Sequence, residues 1–240
     1  MPDGSVGASV GICGKIPSRG DFLSQGLPVG FIDSWNEWLQ AVLAVSKEQL
    51  GGDWLERYLT SPIWHFALSS RVCGESAMAG TFIPSVDQVG RHYPFAVVKE
   101  VTQTPIQVWS ESEWSEKLEP WILASLDDDF YLEPWLEMLA KEDMSWPSQA
   151  KMMASVTPNE RSIRGQVIEA HAEGSLSPLG LLHQSYCDLY GRYCLWWTQG
   201  SNEVDPCLLV TNGLPQVSQF SAMLDGNWDR WGWTKKQILC

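Results

Sequence analysis

Apolar residues follow two rhythms along this chain, and the switches between them mark its elements. Val6, Ala8, Val10 and Ile12 alternate with glycine and small polar residues, which predicts an opening strand. Residues 14–26 break the alternation and read as a loop shaped by Pro17, which fixes φ, and Gly20, which permits positive φ. Beyond Pro28 the period changes: Phe31, Ile32, Trp35, Trp38, Leu39, Val42 and Leu43 form one helical stripe, with Glu37, Gln40 and Lys47 off it, until Gly51-Gly52 ends the helix. Asp53 is placed to cap a short second helix with Trp54, Leu55, Tyr58 and Leu59 on one side, and Pro62 stops it. Residues 63–68, 77–83 and 95–101 are rich in β-branched and aromatic side chains and predict three successive strands of an antiparallel meander. The connector 84–94, bracketed by Pro84 and Pro94, reads as a second structured loop.

The helical rhythm returns over 112–126, with Trp114, Leu118, Trp121, Ile122 and Leu126 on a common face, and the acidic run 127–129 closes it as a solvated corner. Short helices are expected over 134–140 and 179–190, a strong strand over 194–198, a weaker one over 207–210, and a final helix over 214–224 through Val217 and Phe220. Residues 145–174 are the least patterned, rich in Ser, Pro and charge, and are expected at the surface. The reading is an α/β protein with a central, mainly antiparallel sheet and helices on both faces. No repeat or linker divides the chain cleanly, so residues 1–240 are taken as a single domain, divisible into two intimate lobes of about 1–105 and 106–228 with a short C-terminal tail.

Charge narrows the function. Against 29 Asp plus Glu stand 16 Lys plus Arg, a net charge of −13 without any basic cluster, and such a surface repels phosphate backbones and anionic lipid. Nucleic acid is therefore excluded as a partner class, and no apolar stretch approaches the roughly 20 residues that span a bilayer. The segment 1–5 has no positive n-region and no long apolar run after it, which argues for a cytoplasmic protein. Six cysteines at irregular spacing in a chain this long read as reduced thiols. The 14 tryptophans are expected mostly in the core, each buried indole needing an acceptor for its N–H, with a few facing a partner.

Catalytic motifs fail on inspection. Gly11-Ile12-Cys13-Gly14-Lys15 approaches a phosphate loop, but its glycines are too close together and Ile16 replaces the hydroxyl that would hold magnesium. Arg19-Gly20-Asp21 spells an adhesion tripeptide, which a cytoplasmic chain gives no receptor. His183 and Cys187 make half of a zinc site, and His65, His92 and His171 have no ligand-spaced company, so neither metal nor cofactor is expected. There is no nucleophile elbow. A catalytic group gathered from distant residues, for example His92 with Asp87, stays open because such partners meet only in the fold.

The stretch Gly14-Lys15-Ile16-Pro17-Ser18-Arg19-Gly20-Asp21-Phe22 resembles the G-K-[LI]-P-x-x-G-D-F signature of the TagF (ImpM) proteins of bacterial type VI secretion. Further blocks match in order: residues 35–39, Val72-Cys73-Gly74, Pro84-Ser85-Val86-Asp87, Val89-Gly90-Arg91, Tyr93-Pro94 and Leu195-Trp196-Trp197-Thr198. Residues 215–228, with Phe220 and Leu224-Asp225-Gly226, resemble the family's ending. Gln88 stands where a basic residue is common and Cys194 where serine is expected, and residues 229–240 lie beyond the likeness.

The resemblance implies a partly longin-like α/β fold and a regulatory rather than catalytic role. It implies a cytoplasmic post-translational repressor that binds the forkhead-associated scaffold protein of the secretion machine, beside a threonine kinase and phosphatase pathway. An accessory or structural subunit of the apparatus, or an enzyme acting on it, are the competing readings. Lys15, Ser18, Arg19, Asp21, Asp87 and Arg91 are the candidate interaction surface, because they concentrate family-matching charges in two shaped loops outside any helix stripe. The same charges could instead pair among themselves and brace the sheet. The C-terminal Trp228, Trp231 and Trp233 are the next candidate.

Overall fold

A computed structural model describes residues 10–127, 129–144, 146 and 177–236. Among these residues, strands β1 (Gly11–Gly14), β2 (Leu23–Gln25), β3 (Trp64–Leu68), β4 (Ala77–Ile83), β5 (Phe95–Val101), β6 (Cys194–Thr198) and β7 (Cys207–Thr211) form one sheet. Their order is β2-β1-β5-β4-β3-β6-β7, and every pairing is antiparallel. The meander β3-β4-β5 is its middle, and strands from both halves of the chain join it: β3 pairs with β6 in the register Phe66↔Trp196. Helices α1 (Val29–Leu50), α2 (Trp54–Leu59) and α7 (Ser221–Asp225) cover one face. Helices α3 (Pro105–Ser110), α4 (Glu113–Ala124), α5 (Leu132–Leu139) and α6 (Pro178–Tyr190) cover the other.

The strands explain why both faces are covered. Side chains alternate across the pleat, and both alternating sets are apolar: Phe66, Leu68 and Trp196 enter the layer under α1, whereas Ala67, Leu195 and Trp197 enter the layer under α4. The stripe on α1 is buried as its spacing predicts, from Phe31 through Trp35, Trp38 and Leu39 to Val42 and Leu43. Trp35 is its centre, with ring centroids 5.5 Å from Phe31, 4.8 Å from Phe66, 5.9 Å from Phe82 and 6.2 Å from Trp196. A fully buried aromatic ring of this size contributes roughly 4–6 kcal/mol of gross transfer free energy before entropy is subtracted.

The indole N–H groups tie remote segments together. Trp38 donates to the Pro215 carbonyl at 2.9 Å, Trp64 to the Met223 carbonyl at 3.2 Å and Trp196 to Thr211 Oγ1 at 2.9 Å. Trp35 Nε1 finds no acceptor among the described residues, so packing alone holds that ring. The C-terminal tryptophans also turn inward. Trp228 packs edge-on against Trp64 and Trp233, while Trp231 donates to Asp225 Oδ2 and Trp233 to the Gln219 carbonyl.

Several elements differ from the sequence reading, each for a local reason. Residues 23–25, placed within a loop, form the edge strand β2, which returns along β1 in the register Cys13↔Ser24. Residues expected as one helix from 112 are preceded by α3, which has Pro105 at its first turn and a capping box between Thr104 and Gln107. Leu126 lies past the end of α4 and is exposed rather than on its buried face. Asp53 makes no side-chain cap, because a 3-10 turn over Gly51–Asp53 already leads into α2. On that helix Trp54 and Tyr58, four residues apart, are buried, while Leu55 and Leu59 face outward. The final helix is a 3-10 turn at Val217–Gln219 followed by the short α7. Helix α5 begins at Leu132, two residues before the expected start, since proline is tolerated in a first turn. Val6, Ala8, Asp128, Cys240 and the stretch 145–174 apart from Trp146 lie outside the described residues.

Truncating Trp38 to Ala removes the contacts of its ring with Trp35, Trp196 and Phe220 and strands the Pro215 carbonyl. Urea denaturation should show a loss of about 3–5 kcal/mol; a loss under about 1 kcal/mol would mean this helix face is not the core.

Candidate functional site

The two signature loops meet at the end of the sheet where β1 finishes and β5 begins. Gly14 is the pivot: it has φ +121°, and a Cβ built on it would stand 2.0 Å from the Pro94 carbonyl oxygen. Only glycine lets the two segments approach this closely in that conformation. Ile16, fully buried, plugs the first loop into the layer under α4, and the Arg19 N–H closes a turn onto the Ile16 carbonyl at 3.2 Å. Gly20 is not in the positive-φ region; its use is its carbonyl, which accepts Arg91 Nη2 at 2.6 Å. Across the gap the Gln88 N–H donates to the Arg19 carbonyl at 3.0 Å.

The second loop is wound around one carboxylate. Asp87 has a side chain with no exposed surface, and it accepts four hydrogen bonds. Oδ1 takes the backbone N–H groups of Val89 at 3.1 Å and Arg91 at 2.8 Å; Oδ2 takes Lys15 Nζ at 2.7 Å and Arg91 Nε at 2.6 Å. Burial by itself would push the Asp87 carboxyl up, but the Lys15 ammonium, the two backbone donors and the Arg91 guanidinium outweigh it and hold the carboxyl well below the usual carboxylate range. Beneath it, the Tyr58 hydroxyl donates to the Ser85 carbonyl at 2.8 Å and accepts the Ser85 N–H at 3.0 Å, which fixes the start of the loop. Tyr93 donates to Asn36 Oδ1 at 2.8 Å and meets the Phe22 ring edge-on at 5.5 Å.

The six candidate residues therefore divide. Lys15 and Asp87 are internal and Arg91 spans from inside to surface, so these three brace the loops. Arg19 reaches away to an ion pair with Glu133 on α5. Ser18 and Asp21 are exposed and make no side-chain hydrogen bond or ion pair to any other described residue. Beside them Val89 stands 71% exposed and Phe22 38% exposed. The roles of Tyr58, Asn36 and Glu133 had no sequence signal, since each meets its loop partner across a long separation. His92 does not bond to Asp87; it lies edge-on to Trp54 and Tyr58, and burial with the nearby Lys47 lowers its pKa against the pull of Asp87. His183 Nδ1 faces the Tyr193 hydroxyl at 2.8 Å with Cys187 Sγ 3.9 Å away, and among the described residues no further His, Cys, Asp or Glu completes a metal cluster there. Cys13, Cys73, Cys187, Cys194 and Cys207 are free thiols, and burial pushes those of Cys13 and Cys73 up to about 12.

Residues 11–141, which contain both loops, match the TagF N-terminal domain, described as type VI secretion system-associated. The chain belongs to the TagF family. Its fold agrees with a crystal structure of PA0076 from Pseudomonas aeruginosa PAO1, at 30% identity and a TM-score of 0.77 over 97% of this chain and 99% of that one. No curated protein sequence matches. The TagF match makes this a type VI secretion-associated protein, and no helix among the described residues is long and apolar enough to cross a membrane.

The low pKa of Asp87 sets a pH dependence. Its folded value lies below its unfolded one, so its stabilisation is complete above the ordinary aspartate value and is lost as pH falls from there toward the lowered value. The melting temperature of Asp87→Asn should lie well below that of the wild type at pH 7, with the gap narrowing below about pH 4. A gap independent of pH would show that the carboxylate is not held by charge. Gly14→Ala should fail to fold or melt far earlier than the wild type, given the overlap with Pro94.

Proposed function

We propose that this TagF protein is a cytoplasmic, post-translational negative regulator of type VI secretion that acts by binding the forkhead-associated scaffold protein of the system. The contact surface is the outward side of the two loops, with Ser18, Arg19, Asp21 and Arg91 presenting polar groups around the exposed Val89 and Phe22. The match of residues 11–141 to a type VI secretion-associated domain supports the system, and the build of the loops supports the surface. Loop backbone held by a buried carboxylate has less conformational freedom to lose when a partner docks, which is how a pre-organised surface gains affinity. Lys15 and Asp87 serve this surface from below, by holding it in shape.

Asp21 tests the surface without touching the brace. Asp21→Arg should leave cooperative unfolding within about 0.5 kcal/mol of wild type, as for an unpartnered surface residue. Recovery of the scaffold protein on the immobilised chain should fall at least about tenfold, the order of effect of a hot-spot reversal, and secretion should be derepressed in cells. A stably folded Asp21→Arg chain that retains the scaffold as the wild type does would move the binding face elsewhere. Failure of the wild type itself to retain the scaffold would instead reject the partner. Repression at concentrations far below that of the scaffold would favour an enzyme, and co-assembly into isolated apparatus a structural subunit.

A further inference from the structure

At the opposite end of the sheet, three strands deliver a set of donors to one hollow. The registers Leu68↔Cys194 and Cys194↔Thr211 align the end of β3, the start of β6 and the end of β7. Ser70 and Arg71 therefore leave β3, Arg192 enters β6 and Asn212 leaves β7 side by side, on strands about 4.8 Å apart. With Tyr190 and Gly191 from the end of α6, and Glu75, they line an open cleft of about 760 Å³. The cleft adjoins a second hollow of about 320 Å³, shared at Ser70 and Glu75, that runs past Thr104 to His183.

Two features set this cleft apart from ordinary surface. Arg71 is the non-glycine residue in the positive-φ region among those described, with φ 65°, held there by its N–H donating to the Gly74 carbonyl at 2.8 Å. A left-handed arginine costs free energy that the fold must supply, and Arg71 is one of the residues that line the cleft. Ser69, just before it, donates to the Tyr193 carbonyl at 2.6 Å and pins the turn to β6. The donors are also unspent. The side chains of Ser70, Tyr190, Arg192 and Asn212 make no hydrogen bond or ion pair to other described residues, and Arg71 has only a 3.6 Å contact with Glu75. In a chain of net charge −13, two guanidiniums at one concavity form a local exception.

We infer that this cleft is a binding site for a phosphate monoester, with Arg192 and Arg71 gripping the phosphoryl oxygens and Ser70, Asn212 and Tyr190 completing the shell. The donor number selects the ligand. A carboxylate offers two oxygens and about four lone-pair sites, fewer than these side chains can fill, whereas a phosphate monoester offers three terminal oxygens, enough for both guanidiniums and the neutral donors together. Glu75 competes for Arg71 and is displaced on binding. The adjoining hollow leaves room for the group that carries the phosphate.

Calorimetric titration of the full chain at fixed ionic strength tests this, using inorganic phosphate, phenyl phosphate, a short phosphoserine peptide, and acetate. Saturable binding of phosphate and phenyl phosphate, with acetate much weaker, is expected; comparing phenyl phosphate with the peptide identifies the carrier. Arg192→Ala should weaken binding about tenfold, the effect of losing a charge-assisted hydrogen bond, and Asn212→Ala severalfold. Glu75→Gln should strengthen it, while Arg230→Ala, away from the cleft, should leave it unchanged. Both arginine variants should unfold cooperatively at the wild-type temperature, since each residue is exposed. The absence of saturable binding, acetate binding as tightly as phosphate, or equal losses for Arg192→Ala and Arg230→Ala would each overturn the site.

Discussion

A sheet that is apolar on both faces cannot stand with only one of them covered, and the rest of this molecule follows from that constraint. Stripping either helical layer would expose a row of tryptophan and phenylalanine side chains to water: Trp64, Phe66 and Trp196 on one side, or Trp197 and Phe95 on the other. The chain satisfies the constraint by drawing cover from distant segments. Helix α1 precedes the central meander and α7 lies near the described C-terminal end, yet both pack on the same face, and Trp38 of α1 also donates to the Pro215 carbonyl in the segment leading to α7. Described segments from both ends of the chain therefore share one core, although the matched family domain ends at residue 141.

At the loop end of the sheet the organising element is electrostatic. A carboxylate removed from water is costly unless its lone pairs are filled, and Asp87 has all its donors supplied by its own loop and by Lys15 of the facing one. The arrangement ties two irregular segments together. The residues that resemble the family signature thus do two jobs. Gly14, Lys15 and Asp87 shape the surface, and Ser18 and Asp21 are what it shows to solvent.

The two ends of the sheet differ in chemical character. One presents a braced, mixed-charge surface with an exposed apolar fringe, suited to a protein partner. The other gathers donors around a cleft, most of them without a side-chain partner among the described residues. The full length of β3 and β4 separates the two ends.

Amphipathic period and turn chemistry determined most of the elements without any structure. The stripe from Phe31 to Leu43, the meander 63–101 and the strand Cys194–Thr198 were legible because each repeats its signal over several residues and is buried for the reason the pattern suggests. The signature 14–22 was legible as a shaped loop and as a family mark. Short elements were not: β2 and α3 carry too few residues for a period, and α3 declares itself only through a local cap. Which signature charges brace and which face water was beyond the sequence as well, because Lys15 meets Asp87 across 72 residues and Arg19 meets Glu133 across 114. The cleft of Ser70, Arg192 and Asn212 exists only because strand register sets three chain-distant residues side by side. Local pattern records what a residue's neighbours in sequence require of it; pairing partners are chosen by the tertiary fold, which alone decides the distances at which charges act.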